Sequence, residues 1–524
     1  NRDNNLPYDT STGLQKYNVR ANVDMDLTKT TLVRFNVGGY MQSLRKNASS
    51  TTDVFNYAFE TVPFVHPAIY SDGRIPRDSG RVNPWALLTQ TGYTKRTTSQ
   101  IQALVSVDQD LKMLLEGLKV RALFSFDVYN NKIHYADREP VYYGIASGRD
   151  LEGNLIHTEP NNTNGSEFLN HHNGTDYGNA RTYLEAAVSY NRLFNDLHRV
   201  DAMFLFNRDS YDDGGIQPYR HQGIAGRASY TYDSRYVAEF NFGYNGSENF
   251  APGKRYGFFP SMALGWILSN ERFMSDFSQN LDKLKLRASV GQVGNDNLGN
   301  NSRRFAYITT INQGVSGYRF GPTNGFFRGD GIREGDVGVS NLTWETVTKY
   351  NLGLEIGLWS ALDLQVDVFK EDRKNIFMQR RIIPTQIGFA TTPWANFGKV
   401  QNKGVEVELN YHQGFGEDWT VGLRGTFTYA KNKVLEYDDP ESIKGTYRSL
   451  TGQSINTLYG YWADGLYTAA DFDESGKLLP GLPVSELSAD VRPGDIKYRD
   501  MNGDGVINSR DQGYIGGVTT PRIL

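Results

Sequence analysis

The sequence contains no cysteine, and this absence excludes disulfide bridges, thiolate metal sites and a cysteine nucleophile. Apolar residues never run on for the roughly 18 positions that a membrane-spanning helix requires. Charge of one sign is not in excess either, because 55 basic residues stand against 59 acidic residues, for a net charge of −4. This balance lacks the excess of positive charge that is typical of a nucleic-acid-binding protein.

The motifs of common catalytic classes are missing as well. The sequence has no serine nucleophile elbow, no HExxH helix and no phosphate-cradling glycine loop. Its many carboxylates do not by themselves exclude a glycoside hydrolase, but no cleft is implied by them. We therefore predict that the chain is not an enzyme.

Aromatic residues and glycine are abundant, with 32 Tyr, 28 Phe and 54 Gly against only 18 Pro. This composition favours many strands whose two faces differ in polarity. A transmembrane barrel has such strands, because apolar residues need cover only its lipid side. In the absence of a spanning helix, a closed barrel is the structure that satisfies all its backbone polar groups in lipid.

Segments of about ten residues with strict alternation recur along the chain. The clearest runs from Thr346 to Trp359, where polar residues and glycine occupy every second position. Its apolar face comprises Tyr350, Leu352, Leu354, Ile356 and Leu358. We count about fourteen such segments, an even number, as hairpin-paired barrels require. The predicted fold class is all-β, a transmembrane antiparallel β-barrel.

The connections between these segments are unequal in length. Turns of a few residues alternate with long connections at about 46–97, 132–180, 294–344, 377–402 and 432–524. Short periplasmic turns and long extracellular loops are the asymmetry expected of an outer-membrane barrel. We also predict one short helix, from Asn270 to Leu281, on the short-turn side.

The sharpest local motif is the twelve-residue segment from Asp500 to Asp511, inside the 432–524 connection. Its spacing is that of an EF-hand-type loop, with oxygen ligands at positions 1, 3, 5, 7 and 12 and glycine at position 6. The predicted Ca²⁺ ligands are Asp500, Asn502, Asp504, Val506 through its carbonyl, and Asp511. The alternative is a turn held by side-chain hydrogen bonds to the backbone. A bound ion would stiffen the loop rather than catalyse a reaction.

The sequence leaves open the role of two other groups of polar residues. Glu406, Glu408 and Arg424 lie at inward positions of two alternating segments, where they either line a cargo path or form a hydrated wall. His171 and His172 lie in a polar connection, where a solvated pair is favoured over a transition-metal site.

Several strings resemble, in order and in spacing, the barrel of the SusC-like TonB-dependent transporters, the RagA/SusC family. The strings are those at 226–236, 245–252, 257–266, 270–273, 284–289, 291–295, 344–345, 396–406 and 494–498. They occur over nearly the whole chain. Most of them are turn, strand-start and packing residues, so they identify the family without marking a binding site.

The resemblance implies a barrel of about 22 strands with an N-terminal plug in its lumen. About fourteen strands are visible, so residues 1–524 are expected to be one central part of the barrel domain, without the plug and without about eight strands. The resemblance further implies energy from TonB acting through the missing plug, a SusD-like surface lipoprotein as partner, and contact with outer-membrane lipid. It places the protein in the outer membrane of a Gram-negative bacterium.

The function implied by the resemblance is active import of a large nutrient, an oligosaccharide or a peptide. One alternative is a secreted, calcium-stabilised β-rich protein that is carbohydrate-active or adhesive, which the Asp500 loop favours. Another is a passive porin or a signalling receptor with the same barrel.

Overall fold

The structure is a computed structural model, and it describes residues 11–62, 64–78, 81–158, 160, 162, 164–215, 217–277, 280–299, 303–319 and 328–523. Long antiparallel strands dominate these residues. We number the long strands in chain order: β1 Gly13–Thr28, β2 Thr31–Asn47, β3 Gly92–Asp110, β4 Leu118–Asp137, β5 Tyr177–Phe194, β6 His198–Asp212, β7 Tyr219–Tyr232, β8 Tyr236–Ser247, β9 Tyr256–Ile267, β10 Leu281–Asn295, β11 Glu345–Leu358, β12 Leu362–Gln379, β13 Trp394–Phe415 and β14 Trp419–Glu436.

Within each of the two compact units of the chain, strands that follow one another along the sequence are hydrogen-bonded to one another. A short strand, Asn170–Asn173, also pairs with β4. Within the described residues the prediction of an all-β fold with about fourteen hairpin-paired strands is confirmed.

The chain divides into two compact units. The first comprises residues 1–115, 119–187 and 207–220, and the second comprises residues 116–118, 188–206 and 221–524. In the first unit, β1 to β4 form consecutive antiparallel pairs. In the second unit, β7 to β14 do the same.

The register of the second unit brings the apolar positions of neighbouring strands onto one face. Leu352 of β11 pairs with Val368 of β12, which pairs with Val405 of β13 and, through it, with Tyr429 of β14. Leu352 is 58% exposed and Val368 is 51% exposed. An apolar face this extended and this exposed requires an apolar environment in place of water.

Three short turns close hairpins with two consecutive residues in the left-handed region. They are Asn195 and Asp196 (φ 50° and 55°), Asp233 and Ser234 (49° and 51°), and Trp359 and Ser360 (56° and 50°). Turns of this type match the twist of the strands that they join. The predicted short turns are therefore confirmed at these three places.

The long connections contain small elements of their own. The helices are α1, Thr51–Glu60, and α2, Pro84–Thr89. Short strands lie at Ile75–Pro76, Tyr142–Tyr143, Gly148–Arg149, Leu155–Ile156, Ile311–Arg319, Arg328–Glu334, Thr457–Gly460, Ala463–Leu466, Val484–Ser485, Ile496–Tyr498, Val506–Ile507 and Gly513–Val518. Turns of 3-10 helix lie at Leu268–Asn270, Arg272–Phe277, Thr385–Ile387, Ala469–Asp471 and Ser509–Asp511. None of the described helices combines the length and the apolar character needed to cross a membrane.

Two expectations differ from the structure. The predicted short helix from Asn270 to Leu281 is confirmed only in part, because the described residues form a 3-10 helix over Arg272–Phe277 and β10 already begins at Leu281. Residues 278 and 279 of that segment lie outside the described residues. The strands also extend further into the long connections than the alternation indicates: the connection expected at 432–524 begins only after Glu436.

A hydrophobic core lies among the long connections of the second unit. Its buried members are Phe250, Phe259, Leu298, Val339, Leu342 and Trp344. Trp344 contacts Phe250 and Phe259, with ring centroids 5.1 and 5.3 Å away. These connections are therefore packed structures, and they hold defined positions at the ends of the strands.

Candidate functional site

The polar face of β10 to β12 in the second unit carries an ion-pair network. In register, Arg287 of β10 lies beside Gly353 of β11, and Gly353 lies beside Asp367 of β12. The guanidinium Nη2 of Arg287 reaches across β11 to Asp367 Oδ2 at 2.6 Å. A Cβ atom at position 353 would come within 2.6 Å of Arg287 Nε. Glycine is therefore needed at position 353, because it leaves room for the arginine to lie across the strand.

A second carboxylate of the network forms ion pairs with several cationic side chains. Glu355 Oε1 lies 3.2 Å from Lys285 Nζ and 3.1 Å from Arg287 Nε. Lys283 also contacts this carboxylate. Asp367 is only 5% exposed, and Gln365 Nε2 donates to its Oδ2 at 2.9 Å. These side chains are mutually restrained, so the network forms a fixed charged surface.

The inward charges that the sequence singles out lie on the neighbouring strands. Arg424 Nη2 of β14 lies 2.9 Å from Glu408 Oε1 of β13, which also accepts from Asn410 Nδ2 at 3.1 Å. Glu406 is exposed on the same strand. Sequence reasoning names these three residues but misses Arg287, Glu355 and Asp367. The missed residues could have been found from the alternation, because the same pattern places Glu355 on the side of β11 opposite its apolar residues.

The Asp500 loop brings its five predicted residues together in one turn. The two carboxylate oxygens of Asp500 accept the backbone N–H groups of Gly503 and Gly505 at 2.6 and 2.7 Å. These hydrogen bonds, with that from Gly505 the strongest, lower the pKa of Asp500. Gly503 and Gly505 have φ values of 75° and 80°, which side chains disfavour.

The other oxygen-bearing residues of the loop are also hydrogen-bonded. Asn502 Oδ1 accepts from Asp504 N, and Asp504 Oδ1 accepts from Val506 N, each at 2.9 Å. Asp511 is fully buried, and its two oxygens accept from Met501 N and Asn508 N, each at 2.9 Å. The turn alternative therefore accounts for the observed contacts.

The calcium prediction stays a prediction. In the part of the chain that the structure describes, no group of three or more His, Asp or Glu side chains is placed to hold a metal ion. An ion in this loop would need the amide oxygen of Asn502 and the carbonyl oxygen of Val506 in addition to the carboxylates.

Two buried aspartates anchor the segment that follows β14. Asp438 Oδ2 accepts from Arg380 Nε at 2.9 Å, and so joins this segment to the end of β12. Asp439 Oδ2 accepts from Ser449 Oγ and Thr451 Oγ1 at 2.8 and 2.9 Å. The final loop region (437–519) is therefore fixed at its beginning by carboxylates.

The predicted solvated histidine pair has contacts in the first unit. His171 stacks on His134, with Nδ1 and Nε2 3.2 Å apart. His172 stacks on Tyr135 and lies 3.6 Å from Asp137. All four strand positions of this edge are exposed, in line with the solvated alternative.

The first unit also contains a cavity of about 550 Å³ among its connections. Arg77, Arg138, Glu139 and Tyr142 are among the residues that line it. Burial raises the pKa of Tyr142 to about 12. The hydroxyl therefore stays neutral, and the charged residues of the cavity wall are Arg77, Arg138, Asp137 and Glu139.

Comparison with known structures identifies the fold. The RagAB peptide importer in its open-open state superposes with a TM-score of 0.70 at 16% identity, over 98% of this chain and 55% of that chain. At this identity the likeness establishes the architecture alone, which is that of an outer-membrane β-barrel.

The sequence comparisons establish the family. The description "TonB dependent receptor-like, beta-barrel" matches residues 4–519, and the chain belongs to this family. It is 25% identical to TonB-dependent receptor P3 of Formosa agariphila over 97% of this chain and 51% of that protein. It is 28% identical to TonB-dependent receptor SusC of Bacteroides thetaiotaomicron over 55% of this chain and 27% of that protein.

These matches confirm the predicted SusC/RagA-type resemblance and the location in the outer membrane of Gram-negative bacteria. At the level of the family, its members are transporters and not enzymes. The chain spans about half the length of the curated relatives that match it along nearly its whole length. The alternative of a secreted calcium-stabilised protein is not favoured by any of these matches.

Proposed function

We propose that this chain forms part of the barrel of an active outer-membrane importer that takes up a large nutrient. The observation that carries the proposal is the family match over residues 4–519, on strands with one apolar and one polar face. Within such a barrel the polar face of β10 to β14 lines the lumen. Transport then requires binding and gated passage, with no covalent step, so the protein is proposed not to be an enzyme.

TonB energises this import through a plug domain, and a SusD-like surface lipoprotein covers the extracellular mouth. The relatives named SusC and RagAB support this partnership. The fixed Arg287–Asp367–Glu355 network suits a wall that contacts the plug, because its charged groups are paired with one another. The exposed Glu406 suits the cargo path, because its carboxylate stays accessible to a passing ligand.

The cargo is proposed to be an oligosaccharide or a peptide, and it is recognised by the long connections. Aromatic pairs in the final loop region support recognition by stacking. Tyr459 packs edge-on against Tyr514 at 5.0 Å and is 46% exposed. Tyr461 lies 5.1 Å from Tyr498. Rings held in this way offer rigid apolar faces to sugar rings or to peptide side chains.

The test is uptake by cells that carry the full-length gene, compared with cells that lack it. Fluorescent oligosaccharides and peptides are supplied separately, with and without an uncoupler of the inner-membrane proton gradient. Accumulation that requires both the gene and the gradient supports active import. Accumulation that the uncoupler leaves unchanged indicates a passive porin, and binding without accumulation indicates a signalling receptor.

Partnership is tested by purifying the full-length protein from its native membrane in detergent. Co-purification of a surface lipoprotein supports the proposed lid. Recovery of the protein in the aqueous fraction without detergent would overturn the barrel proposal and favour the secreted alternative.

We also propose that the Asp500 loop binds Ca²⁺ as a structural ion. The ligand spacing and the two left-handed glycines support this proposal. Terbium luminescence of the purified full-length protein, with displacement by Ca²⁺, is the test. A signal that Asp500→Ala abolishes supports the site. An unchanged signal, or none in the wild type, leaves the loop as a hydrogen-bonded turn.

A further inference from the structure

Three lysines lie side by side at outward positions of the second unit. Lys370 of β12 pairs in register with Lys403 of β13, and Lys403 pairs with Lys431 of β14. Each lysine is two positions along its strand from a member of the apolar face. Because side chains two positions apart lie on the same side of a sheet, the lysines lie on the apolar side. We call Lys370, Lys403 and Lys431 the outer lysine row.

The positive charge of the outer lysine row is only partly neutralised by nearby carboxylates. Lys370 Nζ lies 2.7 Å from Asp372 Oδ2. Among the described residues, no carboxylate lies within ion-pair distance of Lys403 or Lys431. Lys433 stands at the next outward position of β14, in register with Gln401. Like charges on directly opposite strand positions destabilise a sheet. A row of this kind is therefore expected to have an anionic partner.

A groove of about 840 Å³ lies against the row. Its lining combines the apolar residues Leu352, Val368, Val405 and Tyr429 with the three lysines. Leu352 and Val368 are among the most exposed apolar residues of these strands. The groove therefore offers an apolar floor beside a cationic rim, which is the chemistry of an amphiphile with an acidic headgroup.

The position of the row along the strand identifies the kind of amphiphile. The apolar face of β14 runs from Trp419 to Tyr429, which is about 34 Å along the strand. At a strand tilt of roughly 40° this is close to the apolar band of about 25 Å in outer-membrane barrels, which aromatic residues flank at both ends. Lys431 is the next outward residue, so the row lies among the lipid headgroups. It is at the end with long connections, which faces the outer leaflet.

The first unit repeats this order of chemistry. Arg45 of β2, Lys95 of β3 and His134 of β4 are in register with one another. They lie beyond an outward apolar stretch that includes Phe35 and Phe124. Asp176 lies nearby, and its carboxylate accepts the backbone N–H of Ile133 at 3.0 Å. Basic side chains beyond the apolar stretch thus occur separately in each unit, as Arg45 and Lys95 in the first and as the outer lysine row in the second.

We propose that the outer lysine row and its groove bind a glycolipid of the outer leaflet, with its phosphate on the lysines and an acyl chain on the apolar floor. The phosphate supplies the missing counter-charge, and the chain covers the exposed floor. This interaction is independent of the cargo and of the importer's energy source.

Native mass spectrometry of the full-length protein in detergent provides the test. The probes are diphosphoryl lipid A, the same lipid with its phosphates removed, and inorganic phosphate. We expect retention of the phosphorylated lipid, and retention at least about tenfold lower in the double variant Lys403→Gln, Lys431→Gln. The control double variant Lys444→Gln, Lys477→Gln removes the same charge from exposed positions of the final loop region and is expected to retain the lipid.

Equal retention of the dephosphorylated lipid would overturn the phosphate contact, and equal loss in both double variants would overturn the assignment to the row. Binding of inorganic phosphate as tight as that of the lipid would overturn the role of the groove. If the Lys403→Gln, Lys431→Gln variant does not fold, the salt dependence of lipid retention by the wild type still tests the proposal. Its retention must fall as salt rises if the lysines hold a phosphate, and retention that salt leaves unchanged contradicts the proposal.

Discussion

The membrane strands β11 to β14 and the final loop region that follows them are stabilised in different ways. The strands have a periodic pattern, a shared register and an apolar face with exposed members such as Leu352, Val368 and Leu423. The final loop region has few paired residues and is held by buried carboxylates on backbone N–H groups, as at Asp438, Asp439 and Asp511. The lipid environment thus constrains one region through polarity, whereas individual side chains constrain the other.

The largest effect is expected from a charge on the apolar face. Leu423→Arg places a cation at an outward position of β14 near the middle of the apolar band, where Leu423 is 59% exposed. An arginine there is expected to cost about 2–4 kcal/mol in a bilayer. The measurement is the folded fraction of the full-length protein in lipid vesicles as urea increases. Thr426→Arg, on the opposite face of the same strand, is the control, and equal loss in both variants would contradict the assignment of the faces.

In the final loop region, the comparable test is the removal of one buried carboxylate. Asp511→Ala leaves the N–H groups of Met501 and Asn508 without their acceptor, and we expect a local loss of about 1–3 kcal/mol. Hydrogen exchange at residues 501–508 measures it, with Ca²⁺ chelated so that any bound ion does not contribute. Asp490→Ala, which removes an exposed partner of Arg492, is the control. Equal exchange in both variants would show that Asp511 does not hold the loop.

A smaller effect is expected on the polar face. Gly353→Ala brings a methyl group against Arg287 and moves the guanidinium away from Asp367, for an expected loss of about 1 kcal/mol. Gly422→Ala, where the nearest atom is His412 Cδ2 at 3.9 Å, is the control. In the background of Arg287→Ala the substitution at 353 should have no further effect on unfolding. A full effect in that background would place the strain elsewhere.

The smallest effect depends on acid pH. Asp471 accepts from Lys497 Nζ at 2.8 Å and from Thr468 N at 2.8 Å, and these contacts lower its pKa to about 2. Because the folded pKa is depressed, the stabilisation is complete above the ordinary value of 3.8 and is lost as pH falls from there towards 2. Protection of residues 468–472 from hydrogen exchange, taken relative to the intrinsic exchange rate at each pH, should therefore fall over this range. Asp471→Asn should remove the pH dependence, and a persistent dependence would assign it to another group.

The sequence predicts the strands well where lipid dictates the pattern. From Tyr350 to Leu358 the alternation indicates which face each residue occupies, because a shift of one residue would bring polar side chains into lipid. The pattern fails at the strand ends. Beyond Tyr429 the strand continues through Lys431 and Lys433, where the surroundings are polar on both faces and impose no alternation of polarity. Hydrogen bonding alone continues the strand there.

The contacts of the polar face and of the connections are less predictable. Arg287 reaches Asp367, which lies 80 positions further along the chain, and only the register of three strands brings the two together. Helices α1 and α2 are short, so they have no periodic pattern long enough to detect. The Asp500 turn is predictable because its partners are local, whereas its metal occupancy depends on affinity, which no spacing encodes.

The extension of β14 to Glu436 has a consequence for where the final loop region begins. Seven residues separate Glu436 from Tyr429, so the strand rises roughly 18 Å beyond the apolar band at a tilt of about 40°. This exceeds the depth of the headgroup layer, which is about 5–8 Å on each side. The final loop region therefore begins above the lipid headgroups, clear of the bilayer.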